Sequence, residues 1–342
     1  MNIDEGRPLQ RLLAFDTSTS SLAVAVMENG RLLAERNIHA ERNHSAYLVT
    51  AIDEALSSAG IRKNELDAIA VGVGPGSYTG IRIAVTTAKT LAWALKLPVY
   101  SVSSLEALGL GGWASGVAQD AAALGAAIYD NVDVDEQSDE RLNDQANGQF
   151  YEQRSEQSNE RQNDQLNDQL NDQPSEQSNK QASNEQFHEQ STNEQWVVPL
   201  VDARRGQVYT SCFVASKDRM PKRMEQDGIR LMKNWSHELA DKLSMLDPEN
   251  RPTAIWFVGE VLPAHEETAQ EALVSFGIDL HFAPYELEGV WIGLTGTNRA
   301  LTGSSDEVHS LEPNYTQLAE AEVQAKAKLK AAEANINTIH NG

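Results

Sequence analysis

A strand, a glycine-rich turn and a helix follow one another in residues 71–95, VGVGPGSYTGIRIAVTTAKTLAWAL, and this order is the best guide to the fold. Gly74 and Gly76 allow backbone angles that other residues avoid, and the proline between them stiffens the turn. The backbone N–H groups after Ser77 suit an anion at the start of the helix, although a serine here is equally suited to capping it. The turn is not a P-loop, because no Gly-Lys-Ser/Thr follows and the nearest lysine, Lys89, lies well along the helix.

The segments on either side of this turn alternate between strand and helix patterns. Residues 11–40 predict three strands, RLLAFDTSTS, SLAVAVMENG and RLLAERNIHA, the last two joined by a turn at Asn29–Gly30. Residues 43–59 predict an amphipathic helix, and a short strand and another helix follow residue 96. Three antiparallel strands followed by alternating helices and strands resemble the ribonuclease H-like lobe of the actin-like ATPase (ASKHA) superfamily. A second α/β block of similar content begins at Trp196.

The charge of the chain is strongly acidic and partly local. Of 342 residues, 50 are Asp or Glu and 28 are Lys or Arg, which makes the formal net charge −22. Residues 131–195 hold 16 of the acidic and 4 of the basic residues, in Asn/Gln-rich near-repeats such as LNDQLNDQ. This composition predicts a disordered insertion between the two lobes, since too few apolar residues remain to offset the ordering entropy. The acidic remainder repels a phosphate backbone, so any RNA would be bound by another chain.

The sequence indicates a cytoplasmic protein with no membrane partner. Cys212 is the only cysteine, which excludes an intramolecular disulfide and favours a reducing compartment. The first ten residues lack a signal-peptide pattern, and no apolar run reaches the roughly 18 residues needed to span a bilayer. The predicted organisation is a flexible start over 1–10, a first lobe over 11–115, the low-complexity insertion over 116–195, a second lobe over 196–312 and a helical tail over 313–342.

Asp16, Thr17 and Ser18 follow the first strand and offer one candidate ligand site. The carboxylate could hold a metal-bound water, and the backbone N–H groups could meet phosphate oxygens. The alternative is an Asx turn, in which Asp16 accepts hydrogen bonds from its own loop. The sequence leaves both readings open.

The second block contains fewer residues that could bind a nucleotide. An actin-like ATP site also needs phosphate contacts and a glycine pair for the adenosine from the second lobe. The segment VDARRG places Asp202 beside Arg204 and Arg205, and a later strand ends in a single Gly259 followed by Glu260. The Glu260 carboxylate would face a nucleotide with like charge.

The sequence contains no convincing catalytic nucleophile or metal site. His39 and His44 are five residues apart, a spacing that places them on different sides of a helix. HEETA at His265 has Ala269 where a zincin helix has its second histidine. No Gly-x-Ser-x-Gly elbow is present, and Cys212 lies in a predicted strand. We therefore expect no catalytic residue, no metal and no cofactor of this chain's own.

Together these segments resemble the TsaB (YeaZ) family of bacterial subunits in tRNA threonylcarbamoyladenosine biosynthesis. The resemblance rests on LAFDTSTSSLAVAV, NHSAYLVTAIDEAL, DAIAVGVGPGSYTGIRIAVTTAKTLA, VSSLEAL and VDARRGQVY, and it covers most of residues 11–110 and 196–300. The specific element is GPGSYTGIRI followed by DARRG. The resemblance implies two ribonuclease H-like lobes, whereas the long Asn/Gln-rich insertion departs from the short connection that is usual in the family.

The resemblance also implies a role as a non-catalytic dimerisation subunit. Such a subunit pairs with a catalytic paralogue, TsaD, which modifies N6 of the adenosine beside the anticodon in tRNAs that read codons beginning with A, with the ATPase TsaE assisting. ATP and metal would belong to the partner subunits, tRNA would be bound only through the complex, and the free chain could homodimerise through the same face. The alternative is an active actin-like ATPase or kinase that uses Asp16 and the Gly74–Ser77 turn.

The helix predicted over residues 79–95 has an apolar surface wider than one core-facing stripe requires. Its small residues would let another helix approach closely. With the helix over 43–59 it is predicted to form the partner face, at Tyr47, Leu48, Ala51, Ala84, Ala88 and Leu91. The alternative is a helix buried between its own sheet and the 43–59 helix.

Overall fold

The computed structural model describes residues 11–39, 44–129 and 194–316, all within one compact unit. The predicted flexible start, the repeats over 131–192 and the tail beyond residue 316 lie outside these residues. The insertion was predicted to begin at residue 116, but a helix over 121–129 (α4) follows there. Leu124 and Ile128 of this helix are buried in the core between the two sheets. The boundary predicted at residue 116 is corrected accordingly, because the apolar face of this helix packs in the core.

The first sheet is mixed and has the strand order β3-β2-β1-β4-β5. Its strands are β1 (Arg11–Asp16), β2 (Ser21–Glu28), β3 (Arg31–His39), β4 (Ala68–Gly72) and β5 (Val99–Val102). Strands β1, β2 and β3 pair antiparallel, and β4 and β5 continue parallel to β1. The hairpin predicted at Asn29–Gly30 is confirmed, and both residues have the positive φ of a tight β-turn, +51° and +71°.

The second sheet repeats this plan with the order β8-β7-β6-β9-β10. Its strands are β6 (Gln195–Asp202), β7 (Gln207–Ala215), β8 (Lys222–Leu231), β9 (Ala254–Gly259) and β10 (Asp279–Pro284). The remaining helices are α1 (His44–Ala59), α2 (Tyr78–Leu95), α3 (Ser104–Gly116), α5 (Met232–Ser244), α6 (Pro263–Leu273) and α7 (Gly289–Thr302), with 3-10 turns at Lys63–Glu65, Pro248–Asn250 and Val274–Phe276. The fold is thus α/β, with two mixed sheets of equal topology.

The layers follow from the alternation of side chains along each strand. In β1, Leu13 and Phe15 face α1 and α2, whereas Leu12 and Ala14 face the core between the sheets. The second sheet likewise packs α5 and α6 on its outer side. Helices α3, α4 and α7 fill the space between the sheets.

Two of these central helices exchange sheets. Helix α3 follows the first sheet in the chain but contacts β6, β7, β9 and β10, while α7 follows the second sheet but contacts all five strands of the first. Glycines allow the close approach, since a Cβ at Gly296 would lie 2.3 Å from the Cβ of Ala70 and one at Gly112 would lie 2.7 Å from the Cβ of Val258. The second lobe predicted over 196–312 therefore includes a helix that completes the first lobe's core.

The chain after α7 returns to the first lobe as a segment without regular structure, residues 303–316, which we call the strap. Asp306 N donates to Val99 O at 2.8 Å, and Leu311 is buried in the core beneath α1 and α2. Lys89 of α2 donates to the carbonyl oxygens of His309 and Leu311, at 2.8 and 3.1 Å. The strap therefore lies along α2.

Candidate functional site

Asp16 is closed off within the first lobe. Its side chain is 0% exposed; Oδ1 accepts a hydrogen bond from Ser18 N, and Oδ2 accepts one from the Ser104 hydroxyl. A Cβ at Gly72 would lie 1.6 Å from Asp16 Oδ2, so the neighbouring strand covers this oxygen closely. Of the two readings that the sequence leaves open at Asp16, the Asx turn fits these contacts, because the carboxylate accepts hydrogen bonds from its own loop and from Ser104.

The glycine-rich turn packs directly against the loop that follows β1. Ser77 N donates to Ser18 O at 2.7 Å, and a Cβ at Gly76 would lie 2.3 Å from the same carbonyl oxygen. Gly74 has a φ of +93°, and its N–H donates to the Ser104 hydroxyl at 2.9 Å. Glycine is needed here for a left-handed backbone and for the approach of one loop to another.

The start of α2 is tied to the same loop. Ser77 caps the helix by accepting a hydrogen bond from Gly80 N at 3.3 Å, and the Thr17 hydroxyl donates to Gly80 O at 2.7 Å. A Cβ at Gly80 would lie 1.8 Å from Thr17 O. The structure therefore brings together all six residues of the predicted phosphate motif, Asp16, Thr17, Ser18, Gly74, Gly76 and Ser77. Their hydrogen bonds fix the residue at which α2 begins and the direction in which the helix runs.

A cleft of about 1000 Å³ lies between the two lobes, next to this turn. Asp202, Glu260 and Glu286 line it, together with Arg204. Burial raises the pKa of Glu260, and Glu260 Oε2 accepts a hydrogen bond from Asp202 N at 2.7 Å. Ser18 Oγ is buried beside the cleft without a hydrogen-bond partner, which suits a small anion. The carboxylates opposite repel a nucleotide's phosphates.

The VDARRG motif forms the turn between β6 and β7. Arg204, Arg205 and Gly206 have positive φ values of +67°, +57° and +72°, and Gln207 N donates to Arg204 O at 3.0 Å. Asp202 holds the turn from within, since its Oδ1 accepts from Arg204 N at 3.0 Å and its Oδ2 lies 3.4 Å from the Arg204 guanidinium. The predicted second-lobe residues, Asp202, Arg204 and Arg205, are therefore brought together by the hydrogen bonds and backbone conformation of this turn.

Four of the six predicted partner-face residues are buried within this chain. The structure corrects the prediction at Leu48, Ala51, Ala84 and Ala88, which are at most 1% exposed in the core between α1, α2 and the first sheet. The wide apolar surface of α2 packs against both its sheet and α1. These positions therefore fit the alternative interpretation, in which the helix is buried between its own sheet and the 43–59 helix.

The exposed apolar side chains of the same two helices are different ones. Tyr47 is 47% exposed and Leu91 is half-buried, whereas Val49 is 60% and Trp93 is 71% exposed. Sequence reasoning missed Val49 and Trp93, although a tryptophan off the main apolar stripe is a signal that could have found the latter. We call Tyr47, Val49 and Trp93 the outer α1–α2 face.

Within the described ranges, no group of three or more His, Cys, Asp or Glu side chains could hold a metal ion. His39 Nδ1 lies 2.9 Å from a carboxylate oxygen of Glu286, and His265 is buried with its Nδ1 accepting a hydrogen bond from Leu262 N at 3.3 Å. Burial lowers the pKa of His265. No helix among the described residues is long and apolar enough to cross a membrane.

Fold and site together define a two-lobed α/β protein with an interlobe cleft, beside which a glycine-rich turn is hydrogen-bonded to the loop after β1. A family model described as "TsaD: tRNA N6-adenosine threonylcarbamoyltransferase" matches residues 37–124. The chain is 26% identical to the tRNA threonylcarbamoyladenosine biosynthesis protein TsaB of Bacillus subtilis over 92% of this chain and 96% of that protein. It is 41% identical to TsaB of Haemophilus influenzae over 28% of this chain and 41% of that protein.

Solved structures show the same fold. YeaZ from Pseudomonas aeruginosa aligns with a TM-score of 0.52 at 18% identity, over 90% of this chain and all of that chain. A second Pseudomonas aeruginosa structure, a protein with similarity to peptidase YeaZ, aligns with a TM-score of 0.54 at 19% identity. In sequence and in fold the chain is thus similar to proteins named TsaB and YeaZ.

Proposed function

We propose that this chain is a non-catalytic subunit that pairs with a TsaD-type paralogue in the N6-threonylcarbamoylation of the adenosine beside the anticodon of tRNA. The observation that carries the proposal is the Asp16 carboxylate, which is not exposed and accepts hydrogen bonds from Ser18 and Ser104. An ATPase that used Asp16 would need that carboxylate open to the cleft.

The names of the relatives support the pathway. The Bacillus subtilis and Haemophilus influenzae proteins are both named as tRNA threonylcarbamoyladenosine biosynthesis proteins. The first of these aligns over nearly its whole length, so we extend its pathway to this chain. In this proposal ATP, metal and tRNA belong to the complex, in which a TsaE-type ATPase also takes part.

The outer α1–α2 face is the surface we assign to the TsaD-type partner. Both helices pack on the same side of the first sheet, and on α1 the exposed Tyr47 and Val49 flank the buried stripe on its two sides. Trp93 is 71% and Val49 is 60% exposed, although burial would favour both side chains. Large exposed aromatic residues are typical of interface anchors. A second copy of this chain is a competing occupant of the same face.

A reconstituted reaction tests the proposed function. It contains tRNA, threonine, bicarbonate, ATP, a threonylcarbamoyl-adenylate synthase, TsaD and TsaE, with and without this chain. We expect modified tRNA to form only when the chain is present. Equal product without it would contradict the proposal.

A thermal shift separates the ATPase alternative. A ligand that binds the folded state raises the melting temperature by an amount set by its concentration over Kd. We expect Mg-ATP to leave the melting temperature of the chain unchanged. A dose-dependent rise that Asp16→Asn abolishes would favour the ATPase reading.

A further inference from the structure

Asp227 of β8 joins three parts of the molecule that are far apart in the chain. Its side chain is only 7% exposed. Its Oδ2 accepts hydrogen bonds from the Ser103 hydroxyl at 2.7 Å and from Asn314 Nδ2 at 3.3 Å, and its Oδ1 accepts one from Arg223. The first of these donors caps α3, the second lies in the strap, and the third lies in β8 itself.

Asp227 has hydrogen-bond partners outside the strap. The Arg223 guanidinium pairs with both Asp227 and Glu106, and its carbon lies 4.6 Å from the centroid of the Phe213 ring. Without Asn314, the Asp227 carboxylate would still accept hydrogen bonds from Arg223 and from the Ser103 hydroxyl. The Asn314 contact therefore acts mainly on the strap.

The end of the strap lies against the start of α2. Asn314 N donates to Val73 O at 2.8 Å, directly before the glycine-rich turn. The Tyr315 ring centroid lies 5.2 Å from that of Tyr78, and the Tyr315 hydroxyl accepts a hydrogen bond from Arg82 Nε at 2.9 Å. A residue that holds Asn314 in place thus also holds the contacts at this end of α2.

We propose that Asp227 is a positioning residue, which from the second sheet holds the strap against α2 and so couples the second lobe to the orientation of that helix. The coupling runs from the Asp227 carboxylate through Asn314 to Tyr315 and Arg82. Its consequence for partner binding rests on the proposed function, because α2 carries Trp93 of the outer α1–α2 face. The coupling within the chain does not.

Hydrogen exchange followed by mass spectrometry on the full chain tests the coupling. Asn314→Ala removes the side-chain donor and keeps the backbone N–H that binds Val73 O. We expect exchange in the strap and in the first two turns of α2 to become about tenfold faster, the size of effect that a lost hydrogen bond to a charged group produces. Exchange in the outer helices of the second lobe should not change.

Two further variants separate positioning from general stability. Glu106→Gln weakens the same network on the far side of Arg223 and should leave strap exchange at the rate of the unaltered chain. Asp227→Asn keeps the shape of the side chain, loses its charge and should reproduce the faster exchange of Asn314→Ala. Combining Asp227→Asn with Asn314→Ala should add little to the exchange rate of the strap, because both changes remove the same Asp227–Asn314 hydrogen bond.

The outcomes are distinct. Unchanged strap and α2 exchange in Asn314→Ala would overturn the positioning role, as would equal acceleration in Glu106→Gln. Hydrogen exchange requires no partner, so these results do not depend on the proposed function. Failure of the unaltered chain to pair with a TsaD-type protein would instead contradict the proposed function alone.

Discussion

Replacement of Trp93 by alanine should separate partner binding from folding. The residue is 71% exposed, so truncation removes few contacts within the chain and should change the free energy of unfolding by less than about 0.5 kcal/mol. A tryptophan presents up to about 250 Å² for burial, so about 180 Å² of Trp93 remains available to a partner. At about 25 cal/mol per Å² this area corresponds to an upper bound of about 4 kcal/mol. An interface anchor of this type typically contributes at least about 2 kcal/mol, so Kd should rise about 30-fold.

The assay is calorimetric titration of the TsaD-type paralogue with the unaltered chain and with Trp93→Ala, alongside thermal denaturation of both. Met245→Ala is a matched control, because Met245 is 84% exposed but lies at the end of α5 in the second lobe. It should leave Kd unchanged. Normal pairing by a folded Trp93→Ala variant would refute the assignment of the outer α1–α2 face. Loss of pairing in Met245→Ala to the same extent would refute it as well.

Three other changes follow from the same structure. Ala88→Arg places a charged side chain at a position that is 0% exposed, so it should destabilise the monomer by several kcal/mol rather than only block pairing. Urea denaturation measures this loss of stability. A cooperative unfolding transition at the original midpoint would contradict the prediction. Gly80→Ala should lower the melting temperature strongly, because the new Cβ would lie 1.8 Å from Thr17 O. Gly303→Ala is the control and should lower it much less, because the nearest atom to its Cβ would lie at 3.1 Å. Equal melting temperatures of the two variants would show that the loop moves freely. Burial raises the pKa of Glu35, so the folded state binds its proton more tightly, and this group's contribution to stability falls as the pH rises from the ordinary value of 4.5 through the raised one. Glu35→Gln keeps an oxygen that can accept from Val290 N and should flatten the decline in unfolding free energy as the pH rises above 4.5. An identical pH profile would count against this role.

Local patterns in the sequence predicted much of the secondary structure. The alternation in residues 11–40 and the Asn29–Gly30 turn identify the first three strands, and the helical spacing after Gly76 identifies α2. These patterns succeed because burial of one face imposes a period of about 2 on strands and about 3.6 on helices. Strand β8 was missed, since KRMEQDGIRL lies at a sheet edge, is only partly buried and therefore lacks a clean alternation.

The residues that come together in the candidate site could be predicted from the sequence, but their hydrogen-bond partners could not. Sequence reasoning assembled Asp16, Ser18 and the Gly74–Ser77 turn correctly, yet left the role of Asp16 open. The hydrogen bond that closes this carboxylate comes from Ser104, which is 88 residues away. No local pattern contains that information, because the donor reaches Asp16 only when β4, β5 and α3 are folded around it.

The sequence by itself determined most of the strands and helices, the glycine turn and the family resemblance, because each depends on residues close together in the chain. The tertiary structure alone decided which sheet each central helix covers, which side of α2 remains exposed, and where the strap lies. Asn314 meets Asp227 across 87 residues, and Lys89 meets His309 across 220. Such contacts depend on how two sheets share one core, and that arrangement is set by packing between distant segments rather than by any local periodicity.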